Sequence, residues 1–497
     1  MKDWTSWQWN TSWACAAEMR LYVGVDLGTQ SLKVLVYDAD KRKVIARASH
    51  PCAAPLTPRP GAAEQDPADW WQAFETAMHV ALEKEGVDKT RIRAIGVSGQ
   101  QHGMVALDQA GQVIRPAKLW CDVEAVDEAK VLSSQAQRHI PAGFTAPKLL
   151  WLKNHEPENF QQLQRLCLPH DWLNGRLTGN WVTDHGDASG NGFYDPDSQA
   201  IDEQLAGFID ANLAAKLPPI ENCHAWHGTL QAEVARSFGL SENIQVSIGS
   251  GDNMMSALGA GAVQPGQVVA SLGTSGTLFG VSKTPVKLLN SDLAPFRDAT
   301  GNHLPLYCLQ NCTSVIEEVR LSTQLSLEEL SAAADALTPA SGPLFLPYLT
   351  GERSPNWPHA NGVLFGVRPG NLQPAALFRA AIEGVSYGLY RGAQQMHQAG
   401  LEITDLRVVG GGNNNLLWCQ ILADLFQVPV LRPIETESAA LGAALQACAA
   451  DSTDFHQTLL EHRPGTQKEV LKPSATNGKI YRAAADKMHQ LGASLFA

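Results

Sequence analysis

No stretch of this sequence offers the uninterrupted apolar run, about 18 residues or more, that a membrane-spanning helix needs. Basic runs are missing too. Against a formal charge of −12 no positive stripe stands out, which argues against nucleic acid as a partner. Cysteine is sparse and unpatterned: nine in 497 residues, at Cys15, Cys52, Cys121, Cys167, Cys223, Cys308, Cys312, Cys419 and Cys448. An odd, scattered set in a long chain reads as reduced thiols of a cytoplasmic protein, not as a disulfide framework. "CHAWH" at 223–227 and "CLQNC" at 308–312 each supply too few ligands for a closed zinc site. The two commonest nucleotide fingerprints, G-x-x-x-x-G-K-[ST] and G-x-G-x-x-G, are absent as well.

What the chain does have is size, with room for two to four domains, and 42 Gly and 28 Pro spread along its length. Four of its 13 Trp fall in the first twenty residues, "MKDWTSWQWNTSWACAAEMR". "ACAA" looks like a cleavage site, but no continuous apolar segment precedes it as in a signal peptide. Residues 1–20 are therefore expected to be an extension outside the fold, with Met19 just ahead of the first strand.

From there strands and helices interleave, which predicts α/β architecture. Residues 22–27, 32–38 and 43–49 read as consecutive antiparallel strands of alternating character. "PADWWQAFETAMHVALEKEG" reads as a helix with Asp66 as N-cap and Pro67 in its first turn. An echo follows: "LGTQS" at 27–31 recurs as "LGTSG" at 272–276, each between two β-type runs. Two such tips some 245 residues apart predict two lobes of similar build with a ligand cleft between them. A third Gly cluster, "LRVVGGGNNNLLWCQILAD" at 406–424, is either a close backbone approach to a ligand or a tight strand–helix turn.

Gly-rich tips bearing Thr and Ser suit phosphate oxygens. Asp26, set in an apolar strand just before the first tip, is a charge out of place unless something satisfies it. A hydrated Mg²⁺, which keeps its waters and accepts few carboxylates, would do so.

These segments resemble the FGGY carbohydrate kinases. "VGVDLGTQSLKVLVYD" looks like that family's first phosphate motif, "SLGTSGTLFGV" its second, "VVGGGNNNLLW" its adenosine motif, and "GVLFGVRPGNLQPAALFRAAIEGV" at 362–385 its C-terminal signature. Within the family the xylulokinase branch matches best, through "AEQDPADWW", "SGQQHGMVALD", "FTAPKLLW", "GSGDN" and "PYLTGERSPN". The resemblance implies a two-lobed, actin-like and ribonuclease-H-like fold. Residues 21–262 would form the sugar and phosphate lobe, and 263–497 the adenosine lobe. It implies transfer of the ATP γ-phosphoryl group, with Mg²⁺, to a ketose, most simply D-xylulose. ATP contacts would come from Gly28, Thr29, Gln30, Gly273, Thr274, Ser275, Gly411, Gly412 and Asn415, with Asp26 at the metal. ATP and a small sugar are the expected partners, and a homodimer is allowed for.

Asp252, following a strand and a Gly pair, would be the base that takes the acceptor hydroxyl proton; capping the helix that follows is a structural role it could fill as well. Gln101 and His102 carry groups that both donate and accept, as a sugar requires, and the resemblance assigns both to sugar contact. Asn253 would add one more hydrogen bond to the sugar, beside Asp252. One segment departs from the xylulokinase pattern: in "LWCDVE", Cys121 stands where Asn is common and Glu124 where Arg is. Alternatives are another kinase of the family, such as a ribulokinase, or a non-catalytic actin-fold sugar sensor.

Overall fold

The computed structural model describes residues 20–286 and 291–497. The extension expected over 1–20 lies outside them except for Arg20, whose carbonyl accepts the N–H of Ala39.

The first sheet begins as a meander. Strands Leu21–Leu27, Ser31–Asp38 and Lys43–Pro51 pair antiparallel, as the sequence predicts. The alternation does not hold for the first of them: all seven residues of Leu21–Leu27 are buried. The reason is that both faces of the sheet are covered. Leu21, Val23, Val25 and Leu27 pack with Trp70, Phe74 and Met78 of the helix Pro67–Leu82. Tyr22 packs on the opposite side with Ala440, Ala443 and Ala444 of the helix Ser438–Ala450. The first helix starts as its sequence predicts, with Asp66 accepting from Ala68 N–H at 2.9 Å and Pro67 in the first turn.

Strand Ile92–Gly99 then joins parallel to Leu21–Leu27. Gln245–Ser247 and Ser250–Gly251 pair parallel to it in turn, and Trp226–Thr229 closes the edge antiparallel. The second sheet repeats this plan. Gln267–Leu272 and Gly276–Gly280 form the hairpin, His303–Leu309 extends it antiparallel, and Asp405–Val409 and Val430–Leu431 add on the other side in parallel. The echo of Gly-Thr tips is thus an echo of whole sheets: three antiparallel strands, then parallel ones, in each half, with Ala294–Arg297 a further antiparallel edge strand in the second.

The halves interlock. Helix Ser438–Ala450, carried by the second half of the chain, lies on the first sheet and on the helix Asp252–Gly259. Glycines allow the approach. A Cβ on Gly24 would collide with the backbone of Ala440, one on Gly96 with Ala443, and one on Gly259 with Ser438. Among the described residues no helix is long and apolar enough to cross a membrane.

Candidate active site

Parallel strands set the stage. Asp26 lies opposite Ser98, and Ser98 opposite Ser250. The carboxyl ends of three neighbouring strands therefore bring Asp26, the 98–102 loop and Asp252 to one rim, where open α/β sheets hold ligands. Ser98 Oγ donates to Asp26 Oδ1 at 3.0 Å. Burial pushes the Asp26 carboxyl up in pKa, with Lys33 and Ser98 pulling the other way. Lys33 itself is engaged by Glu437 at 2.6 Å.

Asp252 is the first residue of its helix. The N-cap is Gly251, so Asp252 does not fill the capping role expected of it. Its Oδ1 accepts the N–H of Asn253 at 2.8 Å and Asn253 Nδ2 at 3.0 Å. Burial, then the neighbouring charges of Asp26 and Asp187, raise its pKa to about 7. A carboxylate poised near neutrality is the state a general base requires.

Gln101 and Asn253 meet, Asn253 Nδ2 donating to Gln101 Oε1 at 2.8 Å. Gln101 Nε2 is buried beside Asp187, whose raised carboxyl pKa it helps to pull down. His102 adopts φ 62°, a left-handed conformation uncommon outside glycine. Four contacts hold it there. Its Nδ1–H donates to the carbonyl of Gly190 at 2.7 Å. Its ring stacks on Phe144 at 4.4 Å. Lys148 Nζ and Thr145 Oγ1 both donate to its carbonyl, at 2.8 and 3.2 Å. Burial first and Lys148 second drive the imidazole pKa down to about 3, so the ring is neutral and Nε2 is an acceptor for a hydroxyl.

The two hairpin tips use their own glycines to make the turn: Gly28 N–H donates to Ser31 O and Gly273 N–H to Ser275 O. The N–H groups of Thr29, Gln30, Thr274 and Ser275 have no hydrogen-bond partner among the described residues. Those, and not the glycine amides, are the free donors. The Thr29 hydroxyl is already committed, donating to Gln100 Oε1 at 2.7 Å and accepting from Trp120 Nε1 at 3.0 Å. The third Gly cluster lands beside the second tip, since a Cβ on Gly410 or Gly412 would strike Leu272. Gly411 is exposed there. Asn415 caps the helix Leu416–Phe426 by accepting from Trp418 N–H at 3.1 Å, and donates to Ser331 Oγ at 3.0 Å.

Three parts of the site went unread in the sequence. One is the brace on Thr29 just described. The second is a buried cluster under Gln101: His170 Nδ1 meets Asp187 Oδ2 at 2.6 Å, while Asp171 and Asp184 lie 3.2 and 3.8 Å from its Nε2. Burial opposes the charge on His170, but these carboxylates raise its pKa to about 9, so it is an imidazolium at neutral pH. The third is the surroundings of the 119–124 segment. Glu64, Asp122 and Glu124 cluster as metal ligands would, yet Lys118 lies 3.5, 3.0 and 2.6 Å from them, and Arg59 and Arg115 add to the pairing. Side-chain cations thus answer these carboxylates. Glu124, the departure from the expected pattern, is held by Arg59 and Lys118.

Residues 21–259 match the N-terminal domain of the FGGY family of carbohydrate kinases, and residues 268–450 its C-terminal domain. The xylulose kinase of Haemophilus influenzae is 34% identical over 460 residues, 89% of this chain and 93% of that protein. That of Streptomyces coelicolor is 37% identical over 444 residues, 87% and 88% of the two chains. The crystal structure of a xyloylose kinase from Brucella ovis superposes with a TM-score of 0.89 at 30% identity, covering 96% of this chain and 99% of that one. With paired sheets of one plan, two Gly-Thr tips and a buried carboxylate at the strand ends, the chain belongs to the FGGY family of carbohydrate kinases, enzymes that move a phosphoryl group from ATP to a sugar.

Proposed function

We propose that this kinase phosphorylates D-xylulose at its 5-hydroxyl, with Asp252 as general base and Mg-ATP as donor. The observation that carries the reading is the placement of Asp252, at a pKa near neutrality, beside the hydrogen-bonded Gln101–Asn253 pair. In the reaction the acceptor oxygen bonds the γ-phosphorus as the bond from that phosphorus to the β–γ bridging oxygen breaks. The hydroxyl proton passes to the Asp252 carboxylate. His102 Nε2, neutral and accepting, suits a sugar hydroxyl as donor, and Asn253 holds Asp252 Oδ1 in place.

The residues present fit a magnesium ion. Asp26 is a buried carboxylate with a single side-chain hydrogen bond among the described residues, and its charge is felt by Asp252. A dication with its own waters would relieve both, and would supply charge neutralisation of the phosphate oxygens. The free N–H groups of Thr29, Gln30, Thr274 and Ser275 suit phosphate oxygens, and the exposed Gly411 beside the second tip suits the adenosine side. The xylulose kinases named above make D-xylulose the first sugar to test.

The test is ADP release from ATP with D-xylulose, L-ribulose, D-ribulose and glycerol. Turnover fastest with D-xylulose is the expected result. Fastest turnover with L-ribulose would make the protein a ribulokinase, with the departures at Cys121 and Glu124 the first place to look. No response to any sugar would favour a sensor.

A further inference from the structure

The loop 350–355, part of "PYLTGERSPN", is held with unusual firmness for a surface loop. Glu352 is only 2% exposed. Its carboxylate accepts from Gln310 N–H at 2.6 Å, from Arg353 N–H at 2.8 Å and from Asn311 Nδ2 at 3.2 Å. Asn311 Nδ2 also donates to Gly351 O at 2.5 Å, and Gln310 Nε2 to Thr350 O at 2.8 Å. The residues just after Asn311 brace the second hairpin tip: Cys312 N–H donates to Thr274 O at 3.2 Å and Thr313 N–H to Gly273 O at 2.9 Å. Loop 350–355 and the tip 273–275 thus share one rigid mount.

Out of that mount stands Arg353, exposed and without a carboxylate partner among the described residues. Among the described residues, two lie against its guanidinium. Cys308 Sγ lies 3.8 Å from Nη1, and the ring of Trp120 lies 5.8 Å from Cζ. Trp120 belongs to the opposite half and donates to Thr29 on the first tip. The charge of Arg353 also reaches His102 and Cys121. One unpaired cation therefore stands between the first tip, the second tip and the sugar-side histidine. Those are the parts between which a phosphoryl group must travel. Arginine in such a place has a planar fork of donors matched to phosphate oxygens.

We propose that Arg353 is a further catalytic residue, which on approach of the two halves bonds the oxygens of the phosphoryl group in transfer. This rests on the phosphotransfer reading above. Bond making and breaking are as given there, and Arg353 neither gains nor loses a proton. Its part is to meet the charge that the transition state spreads over the three equatorial oxygens of the phosphoryl group, held in line between acceptor and leaving oxygens.

The experiment compares native protein with Arg353→Ala and Arg353→Lys, measuring kcat and KM for D-xylulose and ATP, with and without added guanidinium chloride at non-denaturing concentration. The expected result for Arg353→Ala is a kcat lower by about 10²-fold, with KM for the sugar changed only a few-fold. Guanidinium should restore part of that kcat in Arg353→Ala and none in native protein. Arg353→Lys should fall between. A native-like kcat in Arg353→Ala would overturn the proposal. So would a loss that guanidinium does not restore, since that would mean Arg353 acts only by resting on Trp120. Absence of sugar-stimulated ADP release from native protein would overturn the phosphotransfer reading and this one with it. Normal native turnover beside an unimpaired variant overturns this one alone.

Discussion

Asn253 Nδ2 donates to Gln101 Oε1 at 2.8 Å across 152 positions of sequence. The bond ties the loop after Ile92–Gly99 to the first turn of the helix that carries Asp252. Each residue fixes the amide orientation of the other, so the pair presents a preset pattern of donors and acceptors. Asn253→Ala should raise KM for D-xylulose about tenfold, one lost positioned hydrogen bond to a polar ligand being worth about 1.4 kcal/mol. KM for ATP should stay put. A raised KM for both substrates would place Asn253 elsewhere in the mechanism.

Asp252→Asn should lower kcat by about 10²-fold or more, as loss of a positioned base does, and should stabilise the protein. The carboxyl pKa is raised from its usual value of 3.8 to about 7, so the folded state holds the proton more tightly than the unfolded chain. Its ionised form is therefore destabilising, with the effect growing as pH rises from near 4 and complete above 7. The Tm advantage of the variant should be absent at acid pH and level off above neutrality. An advantage of constant size across that range would show that ionisation is not its cause.

For Asp26→Asn, the concentration of Mg²⁺ giving half-maximal activity should rise by about tenfold or more. Loss of one of the charges that repel Asp252 should also move the acid limb of kcat/KM to lower pH. Titration of activity with Mg²⁺ at several pH values measures both, and an unmoved Mg²⁺ requirement would remove Asp26 from the metal.

His102→Ala should weaken use of the sugar while sparing slow ATP hydrolysis without it. The imidazole is neutral at physiological pH, so kcat/KM should show no inflection between pH 6 and 8 from this residue. An inflection near 6.5 that vanishes in the variant would contradict that.

His170→Asn should unfold more easily, by about 3 kcal/mol or more, because it leaves buried carboxylates without their cation. The imidazole pKa is raised from 6.5 to about 9. Its stabilisation is therefore complete below 6.5 and lost as pH rises through 9. Urea unfolding at about pH 6 and about pH 9.5 should show a smaller gap between native and variant at the higher value.

Local features of the fold were legible because local chemistry fixes them. Asp66 and Pro67 open a helix through contacts within a few residues, and the Gly-Thr tips close hairpins through bonds three residues apart or fewer. The carboxylates at strand ends could be suspected because a lone Asp in an apolar run needs a reason. The alternation expected of Leu21–Leu27 failed because the covering helix comes from residues 438–450, which no local window can see. The brace Trp120–Thr29 spans 91 positions, and the His170–Asp187 pair joins residues 17 apart on two different helices. The 119–124 segment drew attention as a departure, but its partner Arg59 was invisible until the chain had folded.

The helix Ser438–Ala450, seated against Gly24 and Gly96, bears on how the protein is made. A ribosome delivers the first sheet long before the helix that covers one of its faces. Through most of synthesis Tyr22, Leu35 and Tyr37, later packed with Ala440, Ala443 and Ala444, have no partner from that helix. A nascent chain stopped near residue 300 would display that apolar face to chaperones, and release from them would wait for the final tenth of the sequence to emerge.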